Sequence, residues 1–313
     1  MRIAIIGTGG VGGTFGARLA KAGEDVHFVA RGAHLAAIRR NGLTIRRDEG
    51  ELHLHPAQAT DDVASVGPVD LVLIAVKLYD TDGVAAMLPA LMGPETAVVS
   101  FQNGVTAAET LIRAVGAERV FGGVTYIMAV IAEPGVIAQT GAMARLIFGE
   151  FDGGRTARID SFRDACQRAG IDAVVSGDIA ADIWSKFTFL TALSGVTALT
   201  RLPIGPIRED ADTRALLEAA VDEAVAVARA RGVALPADLA SRHMARFDGA
   251  PADVGSSMLY DLTHGKRLEL AWLSGAMVDL GRESGVPTPT HAFITAALKL
   301  HAGGSHGDRR YGT

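Results

Sequence analysis

Cysteine is almost absent from this 313-residue sequence, which contains only Cys166. A single cysteine cannot form a disulfide within the chain, and nothing in the sequence places it beside a histidine base. Apolar runs approaching the ~18 residues of a membrane span are also missing. The opening MRIAIIG meets glycine too early for a signal peptide. We therefore expect a buried thiol, no membrane partner and a cytoplasmic location.

Patterns typical of metal and nucleic-acid sites are missing as well. None of the nine histidines has a metal-binding spacing, and His53 and His55 alternate as on one face of a strand. The net charge is −5, and the arginine pairs at 39/40, 46/47 and 309/310 are too far apart to form a basic stripe. We predict no metal and no nucleic-acid partner.

The chain is long enough for two domains, and its character changes near Ser176. Before that point, apolar strands alternate with helical patterns, which indicates a mostly parallel α/β sheet of the Rossmann type. After it, almost every segment has helical periodicity. We predict a Rossmann domain over residues 1–176 and an all-helical domain over 177–313. Within the first domain we expect an antiparallel meander on the sheet edge over Thr125–Glu150, with turns at EPG and QTG. Within the second we expect one helix over Arg267–Ser284. The end of the chain, GGSHGDRRYGT, is expected to be a loose tail.

A glycine-rich turn joins the first predicted strand to the helix that follows it. Gly7, Gly9 and Gly12 form GxGxxG, a pattern that lets a pyrophosphate approach the backbone at a helix N-terminus. An ordinary βα turn is the alternative. The residues predicted to bind a dinucleotide here are Gly7, Thr8, Gly9, Gly10, Val11 and Gly12.

Arg31 ends the second predicted strand, about 20 residues past the glycines, where proteins that bind NAD usually carry an acidic residue. Its guanidinium can pair with a 2′-phosphate through a charge-assisted fork. The alternative is a solvated strand end. We predict NADPH as the cofactor.

Lys77 and Asn103 each follow an apolar strand of the predicted parallel sheet. Ligands of such sheets bind beyond the carboxyl ends of the strands, so both residues are expected at the cofactor site. Asn-Gly is also a common hairpin turn, but parallel strands are not joined by hairpins.

Lys186 and Glu269 are candidate catalytic residues in the helical half. Lys186 has apolar neighbours at helical spacing, so it either extends to water or lines a cleft where desolvation lowers its pKa. For Glu269, a surface salt bridge to Lys266 is the alternative. Ser257 and Asp261, four residues apart, either present polar groups on one helical face or cap a short helix. No motif of a serine hydrolase or a P-loop enzyme is present.

Several separated motifs resemble the ketopantoate reductase (2-dehydropantoate 2-reductase) family: GTGGVGG, VKLYDT, SFQNGV, WSKF and SSMLYDLTHGKRLEL, in this order. The resemblance implies a Rossmann domain, a helical domain, and NADPH-dependent reduction of 2-dehydropantoate to D-pantoate on the route to coenzyme A. It implies that Lys186 is the catalytic lysine and Glu269 the glutamate that orients substrate. By the same resemblance, Ser257 holds the substrate carboxylate, Asn103 lies near nicotinamide and substrate, Lys77 lines the cleft, and Arg31 binds the 2′-phosphate.

One stretch departs from the family pattern. Leu190 and Ser194 stand where the family has two asparagines that bind the hydroxyl side of the substrate. A leucine cannot replace that hydrogen bond. We therefore predict a reductase of ketopantoate or of a related 2-keto acid. The alternatives are a β-hydroxyacid or opine dehydrogenase, or an NADPH sensor without turnover, although a sensor needs neither Lys186 nor Glu269. A homodimer is compatible with the sequence.

Overall fold

The structure, a computed structural model, describes residues 1–304; residues 305–313 of the predicted tail lie outside it. The chain divides into two compact units, Met1–Ile183 and Trp184 onward. The division falls inside the helix Ile179–Thr200, a little beyond Ser176.

The first unit alternates strands and helices. Its elements are, in order, β1 (Arg2–Ile6), α1 (Gly10–Lys21), β2 (Asp25–Val29), α2 (Gly32–Asn41), β3 (Leu43–Arg47), β4 (Gly50–Leu54), β5 (Gln58–Thr60), β6 (Val69–Ile74), α3 (Thr81–Met87), β7 (Met92–Ser100), α4 (Ala107–Val115), β8 (Val120–Glu133), β9 (Val136–Gly149), α5 (Ala157–Arg168) and β10 (Asp172–Val175). Short 3₁₀ helices lie at Val63–Ser65, Leu78–Asp80, Leu88–Leu91 and Ala117–Arg119.

Ten strands of this unit form one sheet. Its order is β4-β3-β9-β8-β7-β6-β1-β2-β5, with β10 paired to β9. The run from β5 to β8 is parallel, and β1 lies between β2 and β6, so the chain leaves β1 on one side and later returns on the other. Ligands of open α/β sheets bind at such a switch point, beyond the carboxyl ends of the strands. The predicted Rossmann architecture is confirmed.

The β8–β9 hairpin differs from its prediction in two respects. Its strands lie inside the sheet rather than on its edge, because β3 and β10 both pair with the long strand β9. The EPG segment does form the turn, with Gly135 at φ +82°. The predicted QTG turn is wrong: Gly141 lies within β9, where the pairing with β8 shifts register.

The second unit is helical, as predicted. Its elements are most of α6 (Ile179–Thr200), α7 (Ile204–Glu209), α8 (Ala211–Ala230), α9 (Leu239–Asp248), α10 (Ser257–Thr263), α11 (Ser274–Ser284) and α12 (Pro289–Leu298), with 3₁₀ helices at Leu270–Trp272 and Lys299–His301. The single helix predicted over Arg267–Ser284 is wrong. A 3₁₀ turn precedes α11, and Leu273, with ψ −99°, separates the two. Apolar periodicity alone does not reveal that break.

Two general features bear on function. Within residues 1–304, none of the helices combines the length and the hydropathy that a bilayer span requires. In the same part of the chain, no group of three or more His, Cys, Asp or Glu side chains could hold a metal ion.

Candidate active site

The glycine-rich turn connects β1 to α1, and its glycines serve different steric needs. Gly7 has φ +99°, and a Cβ there would lie 2.7 Å from the Val76 nitrogen. A Cβ on Gly12 would collide with the Gly7 carbonyl oxygen. At Gly9, by contrast, a Cβ would meet no protein atom within 4 Å. The turn is therefore closed towards the protein and open at Gly9, beside the N–H groups of the first turn of α1.

The turn is fixed to the neighbouring strand by two hydrogen bonds. The Gly7 N–H donates to the Val29 carbonyl oxygen at 3.2 Å, and the buried Thr8 hydroxyl donates to the same oxygen at 3.0 Å. Both bonds join the end of β1 to the end of β2. The open face at Gly9 is thus part of a fixed backbone, as an anion-binding site requires.

Lys77 and Asn103 lie in the loops that follow β6 and β7, and both are half-buried. Hydrogen bonds between polar side chains join the loop after β7 to the start of α3, which follows the loop after β6. The Gln102 amide donates to the Thr81 hydroxyl at 2.9 Å, and the Ser100 hydroxyl donates to the Gln102 oxygen at 2.9 Å. The fold therefore brings both predicted residues to the carboxyl edge of the sheet that also carries Gly7. Gln102 was not predicted, although it directly precedes Asn103.

Arg31 lies just before α2, with 76% of its side chain exposed. Its guanidinium pairs with the Asp80 carboxylate, which follows β6, at 3.1 Å. An exposed pair of this kind contributes about 0–1 kcal/mol to stability, so the guanidinium can exchange Asp80 for another anion at small cost. Asp80 was not foreseen as its partner.

Lys186 and Glu269 are electrostatic partners in the second unit. Burial of the Lys186 ammonium lowers its pKa to about 8, the nearby Glu269 carboxylate raises that pKa, and Arg246 lowers it. Glu269 is only 4% exposed and stands directly before the 3₁₀ turn. Lys266, the surface partner considered for Glu269, instead lies over the Tyr260 ring, 4.6 Å from its centre. The solvated salt bridge to Lys266 is therefore not the arrangement found.

Ser257 and Asp261 share the short helix α10. Ser257 is exposed and Asp261 is buried. The capping residue is their neighbour Ser256, whose hydroxyl accepts from the Leu259 N–H at 3.0 Å and lies 2.8 Å from the Thr197 hydroxyl of α6. The helix that carries Lys186 thus anchors the start of α10 and leaves the Ser257 hydroxyl at the surface.

The face of α6 that carries Lys186 becomes apolar one turn later, at the half-buried Leu190. Two turns on, the Ser194 hydroxyl is buried and has no hydrogen-bond partner among the described residues. Residues four and eight positions from Lys186 share its side of the helix. The surroundings of the lysine on α6 therefore offer no amide group to a ligand.

Known proteins resemble this chain over almost its whole length. Residues 3–153 match the family described as ketopantoate reductase PanE/ApbA, and residues 178–302 match its C-terminal region. An uncharacterised oxidoreductase of Bacillus subtilis is 30% identical, with 96% of this chain and 99% of the relative covered. A 2-dehydropantoate 2-reductase of Mesorhizobium japonicum is 33% identical, with 96% and 97% covered.

Solved structures show the same fold. A 2-dehydropantoate 2-reductase of Geobacter metallireducens superposes with a TM-score of 0.89 at 29% identity, covering 96% of this chain and 99% of that one. A Staphylococcus aureus ketopantoate reductase, described as dimeric, has a TM-score of 0.82 at 25% identity with 96% and 99% covered. A D-mandelate dehydrogenase solved with NADH and anilino(oxo)acetate has a TM-score of 0.88, with 96% and 98% covered. At 21% identity, this similarity indicates a shared fold and nothing further.

Proposed function

This chain belongs to the ketopantoate reductase family of oxidoreductases, and from that premise we propose that it reduces a 2-keto acid to the 2-hydroxy acid with NADPH. The observation that carries the proposal is the half-buried Lys186 with its lowered pKa beside the buried Glu269 carboxylate. The leading substrate is 2-dehydropantoate, and the product is then D-pantoate. Related 2-keto acids are the second candidates.

The first unit has the features that a dinucleotide needs. Gly9 leaves the space in which a pyrophosphate can approach the backbone, and the N–H groups at the start of α1 supply donors for it. The exposed guanidinium of Arg31 is the proposed partner of the 2′-phosphate. Lys77 and Asn103 are proposed to contact the cofactor from the loops after β6 and β7. When bound, the nicotinamide supplies the hydride.

Lys186 is proposed to act on the keto oxygen. As C2 accepts the hydride, negative charge grows on that oxygen, and an ammonium placed there stabilises it and donates a proton. The product hydroxyl thus takes its hydrogen from Lys186, and the neutral amine regains a proton from solvent. A pKa of about 8 suits this cycle, because the group is charged near neutral pH and still gives up its proton readily.

Glu269 keeps Lys186 charged, because a carboxylate beside an ammonium favours the protonated form. We propose that it also orients the substrate. Ser257 is the proposed donor to the substrate carboxylate, and its exposure leaves the hydroxyl accessible. Asp261 is proposed as a further substrate-binding residue.

Turnover tests the proposal directly. Loss of NADPH absorbance is followed in the presence of 2-dehydropantoate, a series of 2-keto acids and β-keto acids. We expect turnover with 2-keto acids. Dinucleotide binding without turnover of any of these substrates would favour the sensor, and preference for a β-keto acid would favour the β-hydroxyacid dehydrogenase.

Leu190 should determine how the enzyme treats the hydroxyl of 2-dehydropantoate. We expect Leu190→Asn to change the ratio of kcat/KM values about tenfold or more in favour of 2-dehydropantoate over 3,3-dimethyl-2-oxobutanoate, which lacks only that hydroxyl. An amide can pair with the hydroxyl, whereas leucine leaves it unpaired at a cost of about 1–3 kcal/mol. Leu190→Met keeps an apolar side chain and is the matched control. A ratio unchanged in both variants would contradict a role for this position.

Arg31 should determine the choice between NADPH and NADH. We expect Arg31→Gln to raise the KM for NADPH about tenfold to a hundredfold, because a charge-assisted bond to the 2′-phosphate contributes about 1.5–3 kcal/mol. The KM for NADH, which has no such phosphate, should change less than about twofold. Asp80→Asn removes the competing carboxylate and should lower the KM for NADPH modestly. Equal losses with both cofactors in Arg31→Gln would refute the assignment.

Two further predictions complete the proposal. The Staphylococcus aureus relative is described as dimeric, which supports a homodimer here. The cytoplasmic location stays the prediction made from the sequence. A role on the route to coenzyme A is proposed on the basis of 2-dehydropantoate as the leading substrate.

A further inference from the structure

His34 connects the glycine-rich turn to the turn between β8 and β9. The side chain is half-buried in the first turn of α2. Its Nε2 lies 2.8 Å from the Thr8 carbonyl oxygen, and its Nδ1 lies 3.0 Å from the Gly135 backbone nitrogen. Thr8 stands between Gly7 and Gly9 in the turn that carries the proposed phosphate site. The imidazole therefore spans the space between the two turns.

The two contacts define the state of the ring. The Gly135 N–H is a donor, so Nδ1 must accept from it and carries no proton. Nε2 then carries the ring proton and donates it to the Thr8 carbonyl. Burial lowers the pKa of His34, which favours this neutral form. A second proton on Nδ1 would face the Gly135 N–H and break that bond.

The bond to Thr8 also orients the neighbouring N–H. A trans peptide points its carbonyl and its N–H in opposite directions. Holding the Thr8 carbonyl towards His34 therefore turns the Gly9 N–H away from the ring, at the residue where the turn is open. The other end of the contact is itself anchored, because the Gly135 carbonyl accepts from the Thr44 N–H of β3 at 2.9 Å.

We propose that His34 is a positioning residue for the cofactor: through its hydrogen bond to the Thr8 carbonyl it holds the Thr8–Gly9 peptide so that the Gly9 N–H is aimed at the dinucleotide pyrophosphate. The proposal rests on the dinucleotide binding proposed above. It concerns affinity for the dinucleotide and assigns His34 no part in hydride or proton transfer.

Two conservative variants separate the two hydrogen bonds. In His34→Gln, the terminal amide lies close to the Nε2 position and can still donate to the Thr8 carbonyl. In His34→Asn, the shorter side chain reaches only the Nδ1 position, where its oxygen can accept from the Gly135 N–H. Both variants keep a neutral polar group in α2. Only Gln retains the contact with the turn.

NADPH titration of the full-length protein, together with steady-state kinetics, tests the proposal. We expect His34→Asn to raise the Kd for NADPH about five- to tenfold, as for a lost hydrogen bond of ordinary strength, with kcat at saturating NADPH unchanged. His34→Gln should stay within about twofold of the parent. Equal Kd values in both variants, or a fall in kcat with an unchanged Kd, would overturn the proposal. A parent protein that binds neither NADPH nor NADH would instead overturn the proposed function itself.

Discussion

Lys186→Met is expected to lower kcat for 2-keto acid reduction by about 10²- to 10⁴-fold, the range lost with a general acid. Methionine keeps most of the apolar stem in α6 but can neither stabilise charge on the keto oxygen nor deliver a proton. The affinity for NADPH should stay within about twofold, because the glycine-rich turn belongs to the other unit. Single-turnover kinetics and NADPH titration measure the two quantities separately.

Lys186→Arg is the control that separates charge from proton transfer. A guanidinium keeps the positive charge beside Glu269, but its pKa lies too high for ready proton donation. We expect substrate binding to be largely kept and kcat to remain low. An arginine variant with parental kcat would mean that charge alone suffices and that solvent supplies the proton.

Lys186→Met also leaves the Glu269 carboxylate buried without its cation, which costs stability. The double variant Lys186→Met/Glu269→Gln removes both charges and should recover the lost stability without recovering turnover. Thermal unfolding of the parent protein, the single variant and the double variant checks this. Activity that recovered with stability would show that the single variant had failed by misfolding.

The first βαβ unit could be predicted closely because its signals are local. The apolar strand, the glycines and the helix are consecutive in the chain, and the glycine-rich turn lies between β1 and α1 as predicted. The position of the β8–β9 hairpin within the sheet could not be predicted in this way. It depends on β3 and β10 pairing with β9, and those contacts join segments far apart in sequence. Alternating apolar residues reveal a strand but not its neighbours.

The candidate site shows the same difference between local and distant signals. Motifs located Lys186 and Glu269, but no motif reveals the electrostatic interaction between them, which joins α6 to the segment before the 3₁₀ turn Leu270–Trp272. His34 carried no signal of its own, since its partners Thr8 and Gly135 lie 26 and 101 residues away. Hydrogen bonds across such distances become visible only once the chain is folded.

Glu269→Gln is expected to move the pH dependence of reduction to lower pH. The ammonium of Lys186 is the proton donor, so kcat/KM should be full below its pKa of about 8 and fall as pH rises through it. The Glu269 carboxylate raises that pKa, and glutamine removes its charge while keeping the shape. One pKa unit corresponds to about 1.4 kcal/mol, and the loss of a buried charged partner costs several kcal/mol. The midpoint of the pH profile should therefore fall by at least about one pH unit. At pH 8 a fall of one unit should then cost the variant about fivefold in kcat/KM, and a larger fall more, measured as a full pH profile.

Arg246→Gln supplies the matched test, with the opposite sign. The guanidinium stacks on Phe189, 4.3 Å from the ring centre, and lowers the pKa of Lys186. Its removal should therefore raise the midpoint and extend activity to higher pH. Arg246 is exposed, so the shift should be smaller than that of Glu269→Gln and should shrink as salt is added. Midpoints that move in the same direction in both variants would contradict Lys186 as the titrating group, because opposite charges cannot shift one ammonium alike.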